Sequence, residues 1–178
     1  MLIPRKLVPK LNVPTLTNGT FNLYSEAPNN FSLVVFFRGL HCPLCIKYLK
    51  ELGLLLPELE KRGVSVIAIS SDDRDRAQEM ATKVGIVNLR FGYQLPLSAA
   101  KEWGLYISEG IGKTSIGVEE PKLFPEPGVF LIKPDQTLYY GAVQTMPFAR
   151  PSFTDLMMAI DFAISKNYPA RGEYTSAV

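Results

Sequence analysis

The feature that most constrains this chain is a hydrophobic strand pattern that leads directly into a pair of cysteines and then into a helix pattern. The apolar run at 33–37 is continuous and rich in β-branched and aromatic residues, as is typical of a buried parallel strand. Cys42 and Cys45 follow, and from Pro43 onwards apolar residues recur at helical spacing. A Cys-x-x-Cys at such a turn places one thiol where its pKa can be lowered and a second thiol close by. The sequence therefore predicts redox chemistry.

The bulk composition is that of an ordinary globular domain. With 178 residues, 47% of them apolar and 20% charged, the chain is long enough for one substantial core. Its net charge of +2 is too small to indicate nucleic acid or an anionic membrane as a partner. Pro4 and Pro9 interrupt the apolar core that a signal peptide needs, and no stretch reaches the roughly 20 apolar residues of a membrane span. We therefore expect a cytoplasmic protein, in which a cysteine pair is more often catalytic or metal-binding than structural.

Turn signals and hydrophobic periodicity predict the element order β-β-β-α-β-α-β-α-β-β-α over a single domain, residues 1–178. The first two strands form a hairpin at about 11–24, with turn residues at 17–20, and the last element is a helix at about 152–166. Gly53 and Pro57 are expected to interrupt the helix that follows the cysteines. A long segment at about 107–127 is expected to be a flap or loop. The order predicts an α/β thioredoxin-like fold, a central mixed sheet with helices on both faces.

Three stretches together resemble a known family. They are the strand–Cys-x-x-Cys–helix unit, the strand end Ser70-Ser71-Asp72, and the run Pro-Gly-Val-Phe-Leu-Ile at 127–132. All three resemble the peroxiredoxin-like branch of the thioredoxin superfamily, within the alkyl hydroperoxide reductase/thiol-specific antioxidant (redoxin) family. The resemblance covers about residues 10–165 as an order of elements. It implies an antioxidant thiol oxidoreductase that cycles between a dithiol and a disulfide and uses no organic cofactor.

The resemblance can be aligned in two ways, which imply different chemistry. On the peroxiredoxin pattern Pro-x-x-x-Thr-x-x-Cys, the peroxidatic position is Cys45, while Arg38 replaces the proline and Cys42 replaces the threonine. On the thioredoxin pattern, Cys42 is the exposed nucleophile and Cys45 is the buried resolving thiol.

The residue at the start of the last hairpin helps to separate the two alignments. Peroxiredoxins place an arginine there and thioredoxins a cis-proline, and in this chain the position is Pro127. A peroxidase needs donors that polarise the O–O bond, whereas a cis-proline shapes a groove for an extended thiol substrate. We therefore expect Pro127 to be cis and to orient the substrate backbone. This favours thiol–disulfide exchange, with Cys42 as the nucleophile and Cys45 as the resolving thiol.

Two side chains near the cysteines are candidates for tuning the thiolate. His41, when protonated, and Arg38 would each place a positive charge near the anion. A packing role for His41 is an equal alternative, and Arg38 has the alternative of an ordinary surface charge. Arg150 lies between two apolar stretches; we favour an ordinary role with no part in the function, with a carboxylate-binding role or a dimer contact as alternatives.

Other functions of the cysteine pair stay open beside disulfide exchange. One is a thiol-dependent peroxidase in which Cys45 is oxidised and Cys42 resolves. Another is a metal or iron–sulfur module, although His41 and the two cysteines supply only three of the four ligands of a closed zinc site. A structural disulfide or a pair of inert core thiols is the simplest alternative, whereas a redox-inert interaction domain is hard to reconcile with an intact Cys-x-x-Cys. As partners we expect a dithiol reductant such as thioredoxin or glutathione, a protein disulfide or peroxide substrate, and a homodimer formed through the segment at 107–127 or the aromatic tail through Tyr168.

Overall fold

A five-stranded mixed sheet forms the centre of the protein. The computed structural model describes residues 1–17 and 19–177. Over them the elements are, in chain order, β1 (Asn12–Pro14), β2 (Thr20–Asn22), β3 (Phe31–Phe36), α1 (Pro43–Leu54), α2 (Leu56–Lys61), β4 (Val64–Ile69), α3 (Arg74–Val84), β5 (Phe91–Gly92), α4 (Leu97–Glu102), β6 (Ile107–Glu109), β7 (Leu123–Pro125), β8 (Gly128–Ile132), β9 (Leu138–Val143) and α5 (Phe153–Lys166). The central sheet has the order β5-β4-β3-β8-β9. Strands β3, β4 and β5 run parallel, whereas β8 and β9 are antiparallel to their neighbours. The predicted mixed sheet is thereby confirmed.

The two faces of the sheet bury two separate apolar clusters. In β3, Leu33 and Val35 face the cluster that contains the buried residues of α1, α2, α3 and α5. The alternate residues Val34 and Phe36 face the cluster that contains Trp103 and the β1–β2 hairpin. Every side chain of β3 is buried, which explains why its sequence is a continuous apolar run. Asn18, which we predicted in the turn of the β1–β2 hairpin, lies outside the described residues.

The helix after the cysteines is interrupted, as the sequence predicted. Helix α1 ends at Leu54 and α2 begins at Leu56, with Pro57 in its first turn. Gly53 packs so closely on Ile86 that a Cβ at this position would lie 2.5 Å from the Ile86 side chain. A larger residue at Gly53 would therefore push α1 away from the segment that follows α3.

The segment at 107–127 contains a small antiparallel hairpin. Strands β6 and β7 pair along it, which the sequence pattern did not predict. Two arginines tie the connection between these strands to the body of the protein. Arg76 donates to the carbonyl of Glu119 at 3.1 Å, and Arg38 lies 3.4 Å from the Glu120 carboxylate. Pro127 and β8 follow directly after the hairpin. Over the part of the chain that the structure describes, no helix is both long enough and apolar enough to span a bilayer.

Candidate active site

The cysteine pair lies where the chain leaves the carboxyl end of β3 and enters α1. Cys42 is the N-cap of α1, and its Sγ accepts a hydrogen bond from the backbone N–H of Cys45 at 3.2 Å. Pro43 occupies the first turn, where its missing N–H leaves no hydrogen bond unmade. Both cysteines are free thiols, with 1% of Cys42 and none of Cys45 exposed to solvent. The thioredoxin alignment predicted an exposed Cys42, and the structure instead buries both sulfurs.

A guanidinium group contacts both sulfurs. Arg150 Nη2 lies 2.9 Å from Cys45 Sγ and 3.7 Å from Cys42 Sγ, although it is 105 residues from Cys45 in the sequence. The backbone N–H of Arg38 also lowers the pKa of Cys45. Hydrogen-bond donors and positive charge therefore stabilise a thiolate at Cys45 more than a thiolate at Cys42. From the sequence we favoured a role for Arg150 outside the site, whereas its guanidinium lies against both sulfurs.

The position of Arg150 is fixed by the same helix that carries the cysteines. Its guanidinium lies 4.9 Å from the ring centroid of Tyr48, and its Nε donates to the carbonyl of Pro147 at 2.8 Å. Tyr48 is one helical turn beyond Cys45, and its hydroxyl donates to the carbonyl of Pro151 at 2.6 Å. Helix α1 thus supplies the sulfurs, the aromatic surface under the guanidinium, and an anchor for the chain beside Arg150.

These contacts favour the anionic form of one cysteine and the protonated form of the other. Burial alone would raise the pKa of Cys45, but the hydrogen bond from Cys42, the charge and hydrogen bond of Arg150, and the Arg38 backbone lower it to about 6. The hydrogen bond to Cys45 and burial raise the pKa of Cys42 above its ordinary value. The pair therefore loses one proton readily and holds the second. The arrangement is a Cys45 thiolate with a Cys42 thiol beside it.

A titration of the reduced protein tests this division. We expect the ultraviolet absorbance of the thiolate to rise with a midpoint of about 6, below the ordinary thiol value of 9.0. Cys45→Ser should remove this rise. Cys42→Ser should keep the rise, because the serine hydroxyl takes the place of the thiol as a hydrogen-bond donor to the Cys45 thiolate. A wild-type midpoint near the ordinary value would contradict the assignment.

The same shift determines the sign of a pH effect on stability. Cys45 has a lower pKa in the folded protein than in the unfolded chain, so the folded state binds fewer protons between about pH 6 and 9.0. The free energy of unfolding should therefore rise with pH over that window. The raised pKa of Cys42 acts in the opposite direction, but only above the ordinary thiol value. Urea unfolding of the wild type and of Cys45→Ser measures the effect, because the titrating groups other than Cys42, whose pKa also depends on Cys45, are common to both proteins.

His41 does not supply a positive charge to the thiolate. Burial, together with the charges of Arg38 and Arg76, lowers the pKa of His41 to about 4, so the ring is neutral at physiological pH. The ring is completely buried and lies 4.6 Å from the ring centroid of Phe124. The structure supports the packing alternative for His41 and contradicts its role as a protonated tuning residue.

The side-chain charge of Arg38 is directed away from the sulfurs. Its guanidinium lies over the Phe124 ring at 4.6 Å and within 3.4 Å of both the Glu120 and the Glu126 carboxylates. Glu126 is itself buried and accepts a hydrogen bond from the Ser108 hydroxyl at 2.6 Å. Arg38 therefore acts on Cys45 through its backbone N–H, while its side chain connects the cysteine loop to the β6–β7 hairpin.

Pro127 is in the trans form. The described residues contain no cis peptide bond, so the prediction of a cis-proline is wrong. Pro127 is buried, and its carbonyl accepts a hydrogen bond from the backbone N–H of Gln144 at 3.0 Å. Gln144 begins the stretch that leads to Arg150. The guanidinium beside the sulfurs thus comes from this later stretch, not from the position that Pro127 occupies.

The alternative of a metal centre gains no support from the donor set. Within residues 1–17 and 19–177, no group of three or more His, Cys, Asp and Glu side chains is arranged to hold a metal ion. His41 packs on Phe124 instead of joining the sulfurs, and Arg150 brings a positive charge to within 2.9 Å of Cys45.

Comparison with known proteins agrees with the geometry. The AhpC/TSA family model matches residues 4–141. No curated protein matches the chain. Similar solved structures include a peroxiredoxin 6 mutant from Arenicola marina (TM-score 0.74, 17% identity, 94% of this chain and 76% of that chain) and AhpC of Mycobacterium tuberculosis (TM-score 0.74, 12% identity, 96% and 97%). A third is the reduced 2-Cys peroxiredoxin of Plasmodium vivax (TM-score 0.74, 15% identity, 94% and 83%).

At these identities the structural likeness shows a shared peroxiredoxin-type thioredoxin fold. The family match adds the chemistry, because it covers the strand, both cysteines and the first turn of α1. Arg150 and α5 lie beyond the matched residues. The chain therefore belongs to the AhpC/TSA family and is a thiol-dependent oxidoreductase.

Proposed function

We propose that this protein reduces peroxides with Cys45 as the attacking thiolate and Cys42 as the resolving thiol. The observation that carries the proposal is the 2.9 Å contact between Arg150 Nη2 and Cys45 Sγ. A guanidinium at this distance favours the thiolate, which is the nucleophilic form of cysteine. It is also a donor for the oxygen on which charge develops as the O–O bond breaks. This reverses the roles that we first predicted for the two cysteines.

The proposed cycle balances without a cofactor. The Cys45 thiolate attacks one peroxide oxygen, the O–O bond breaks, and the other oxygen leaves as an alcohol or water after protonation. Cys45 is then a sulfenic acid, which Cys42 attacks with release of water to form a disulfide. Two residues three apart at the start of a helix lie about one turn from each other, so this bond needs no large movement of α1. A dithiol reductant supplies the two electrons that restore both thiols.

The remaining predicted site residues have supporting roles in this proposal. The backbone N–H of Arg38 lowers the pKa of Cys45, and His41 packs behind the cysteine loop on Phe124. Pro127 anchors Gln144, where the stretch bearing Arg150 begins. We assign the whole chain to one redox domain.

The partners of the reaction also belong to the proposal. We name a dithiol reductant such as thioredoxin or glutathione and a peroxide substrate, and we place the protein in the cytoplasm, where such reductants keep thiols reduced. The homodimer predicted from the sequence stays a prediction, which sedimentation analysis of the reduced protein can test.

Thiol–disulfide exchange with Cys42 as the nucleophile is the second candidate function. The observation in its favour is the N-cap position of Cys42, whose Sγ accepts the backbone N–H of Cys45 at 3.2 Å. Helix N-termini stabilise a thiolate through such unsatisfied N–H groups and the helix dipole. This candidate differs from the first in the oxidant, because it takes a disulfide in place of a peroxide.

A competition between oxidants separates the two candidates. The fully reduced protein is mixed with hydrogen peroxide or with oxidised glutathione, and thiol loss is followed by alkylation and intact mass. We expect peroxide to convert the protein to an internal disulfide at least about 100-fold faster than it oxidises free cysteine, since one positioned donor is worth that much. Rapid formation of a glutathione adduct, with peroxide oxidation no faster than that of free cysteine, would establish disulfide exchange instead.

A further inference from the structure

A buried carboxylate holds the loop that leads from β3 into the cysteines. Asp72 lies between β4 and α3, and its side chain is 1% exposed. Its Oδ2 accepts the backbone N–H of Leu40 at 2.8 Å, and its Oδ1 accepts the Nε–H of Arg76 at 3.0 Å. A buried anion of this kind is stable only while its hydrogen-bond donors are in place. The Leu40 N–H is thus part of the pairing of this carboxylate.

The backbone at Gly39 is shaped to the same carboxylate. Gly39 has a φ of +138°, a conformation that residues with a side chain rarely adopt. A Cβ at this position would lie 2.8 Å from both carboxylate oxygens of Asp72. The Gly39 carbonyl in turn accepts the backbone N–H of Cys42 at 3.1 Å. The turn into the cysteine pair is therefore built against Asp72.

The peptide group that acts on the thiolate lies between two fixed points of this loop. The backbone N–H of Phe37 donates to a carbonyl at the end of β4 at 3.0 Å, and the N–H of Leu40 donates to Asp72. Arg38, whose backbone N–H lowers the pKa of Cys45, lies between them. Loss of the second fixed point would leave this peptide group free to rotate.

We propose that Asp72 is a positioning residue for the reaction: by holding the Leu40 N–H, it keeps the Arg38 peptide group in the orientation that favours the Cys45 thiolate. Asp72 has this role only if Cys45 is the thiolate of the proposed function. It acts through the loop and against its own charge, because a negative charge near the site disfavours a second anion. Loss of the contact and loss of the charge therefore change the pKa of Cys45 in opposite directions.

Replacing Asp72 with alanine removes the acceptor for Leu40 and tests this role. We expect the midpoint of the Cys45 thiolate absorbance to rise from about 6 by about one pH unit or more, because one hydrogen bond to a charged group contributes about that much. Peroxide oxidation should slow at least about fivefold at pH 6, where less thiolate is present. At pH 9 it should stay within about twofold of the wild-type rate, because Cys45 is ionised in both proteins.

Two asparagine variants separate the acceptor from the charge. Asp72→Asn loses the charge but keeps one acceptor oxygen. That oxygen should serve the buried Leu40 N–H, because the Arg76 side chain is 26% exposed and can turn to water. Asp72→Asn should therefore recover most of the wild-type midpoint. Asp73→Asn removes the same charge from the neighbouring residue and keeps an N-cap for α3, so its midpoint should not rise.

Gly39→Ala approaches the same contact from the other side. It keeps every charge but places a methyl group against both oxygens of Asp72, so it should also raise the midpoint. Circular dichroism confirms that each variant is folded. A folded Asp72→Ala with a midpoint at or below the wild-type value would overturn the positioning role. So would an Asp72→Asn midpoint as high as that of Asp72→Ala, or equal slowing at pH 6 and pH 9. The expected midpoints in a protein inert to peroxide would refute only the peroxidase.

Discussion

Replacing Cys45 with serine is expected to abolish the rapid reaction with peroxide, whereas replacing Cys42 with serine should leave its first step intact. Arg150 Nη2 donates a hydrogen bond to Cys45 Sγ at 2.9 Å, and the backbone N–H of Arg38 further lowers the pKa of this thiol. In Cys42→Ser the reaction should stop at a sulfenic acid on Cys45, because no second thiol is present to condense with it. Trapping with dimedone followed by peptide mass spectrometry measures this product. The rate of Cys45→Ser should fall at least about 100-fold, to that of an ordinary thiol.

The two serine variants are matched controls for each other, since the sulfurs lie in the same turn and are equally buried. A general loss of structure would affect both, and circular dichroism checks for it. The opposite pattern, with rapid oxidation in Cys45→Ser and none in Cys42→Ser, would show that Cys42 is the nucleophile and would restore the thioredoxin alignment.

Replacing Arg150 with methionine should slow peroxide reduction about 100-fold, a typical loss when one positioned donor to a developing anion is removed. Methionine keeps much of the side-chain length over Tyr48 but removes the charge and the contacts with both sulfurs. The pKa of Cys45 should rise from about 6 towards its ordinary value. Stopped-flow oxidation and the thiolate absorbance titration should therefore change together.

Two further variants show whether charge or geometry is responsible. Arg74→Met removes an exposed arginine at the start of α3 and should leave both measurements unchanged. Arg150→Lys keeps the charge but lacks the planar fork that spans two acceptors, and it should recover only part of the rate. An Arg150→Met protein with wild-type kinetics and titration would remove Arg150 from the reaction and with it the main support for Cys45.

The local parts of the fold could be predicted from the sequence because each is decided by nearby residues. A continuous apolar run makes β3 a buried strand, and the residues at Gly53 and Pro57 interrupt the helix after the cysteines. The hairpin of β6 and β7 was missed, because its strands have three residues each and show little alternation. The position of the cysteine pair followed from the motif and needed no tertiary information.

The guanidinium that contacts the two sulfurs could not be predicted in this way. Arg150 and Cys45 are 105 residues apart, and no periodicity or spacing links them. Pro127 was misinterpreted because the position alone suggested a cis bond, and the surrounding loop adopts a trans form. The protonation state of His41 could likewise not be predicted from the sequence, because its lowered pKa comes from burial and from Arg38 and Arg76 around it. A useful signal did exist in a lone arginine between apolar stretches, because such a residue is rarely buried without an anion.

The place of Arg150 in the chain has a consequence for biosynthesis. A ribosome makes both cysteines long before it makes Arg150, and α5 follows later still. Until that last part of the chain docks, the cysteines have no guanidinium beside them and keep the low reactivity of ordinary thiols. A domain generally folds as a unit, so the sulfurs of the nascent chain stay unactivated until the last part of that unit has been made. Reactivity towards oxidants thus becomes a property of the finished molecule alone.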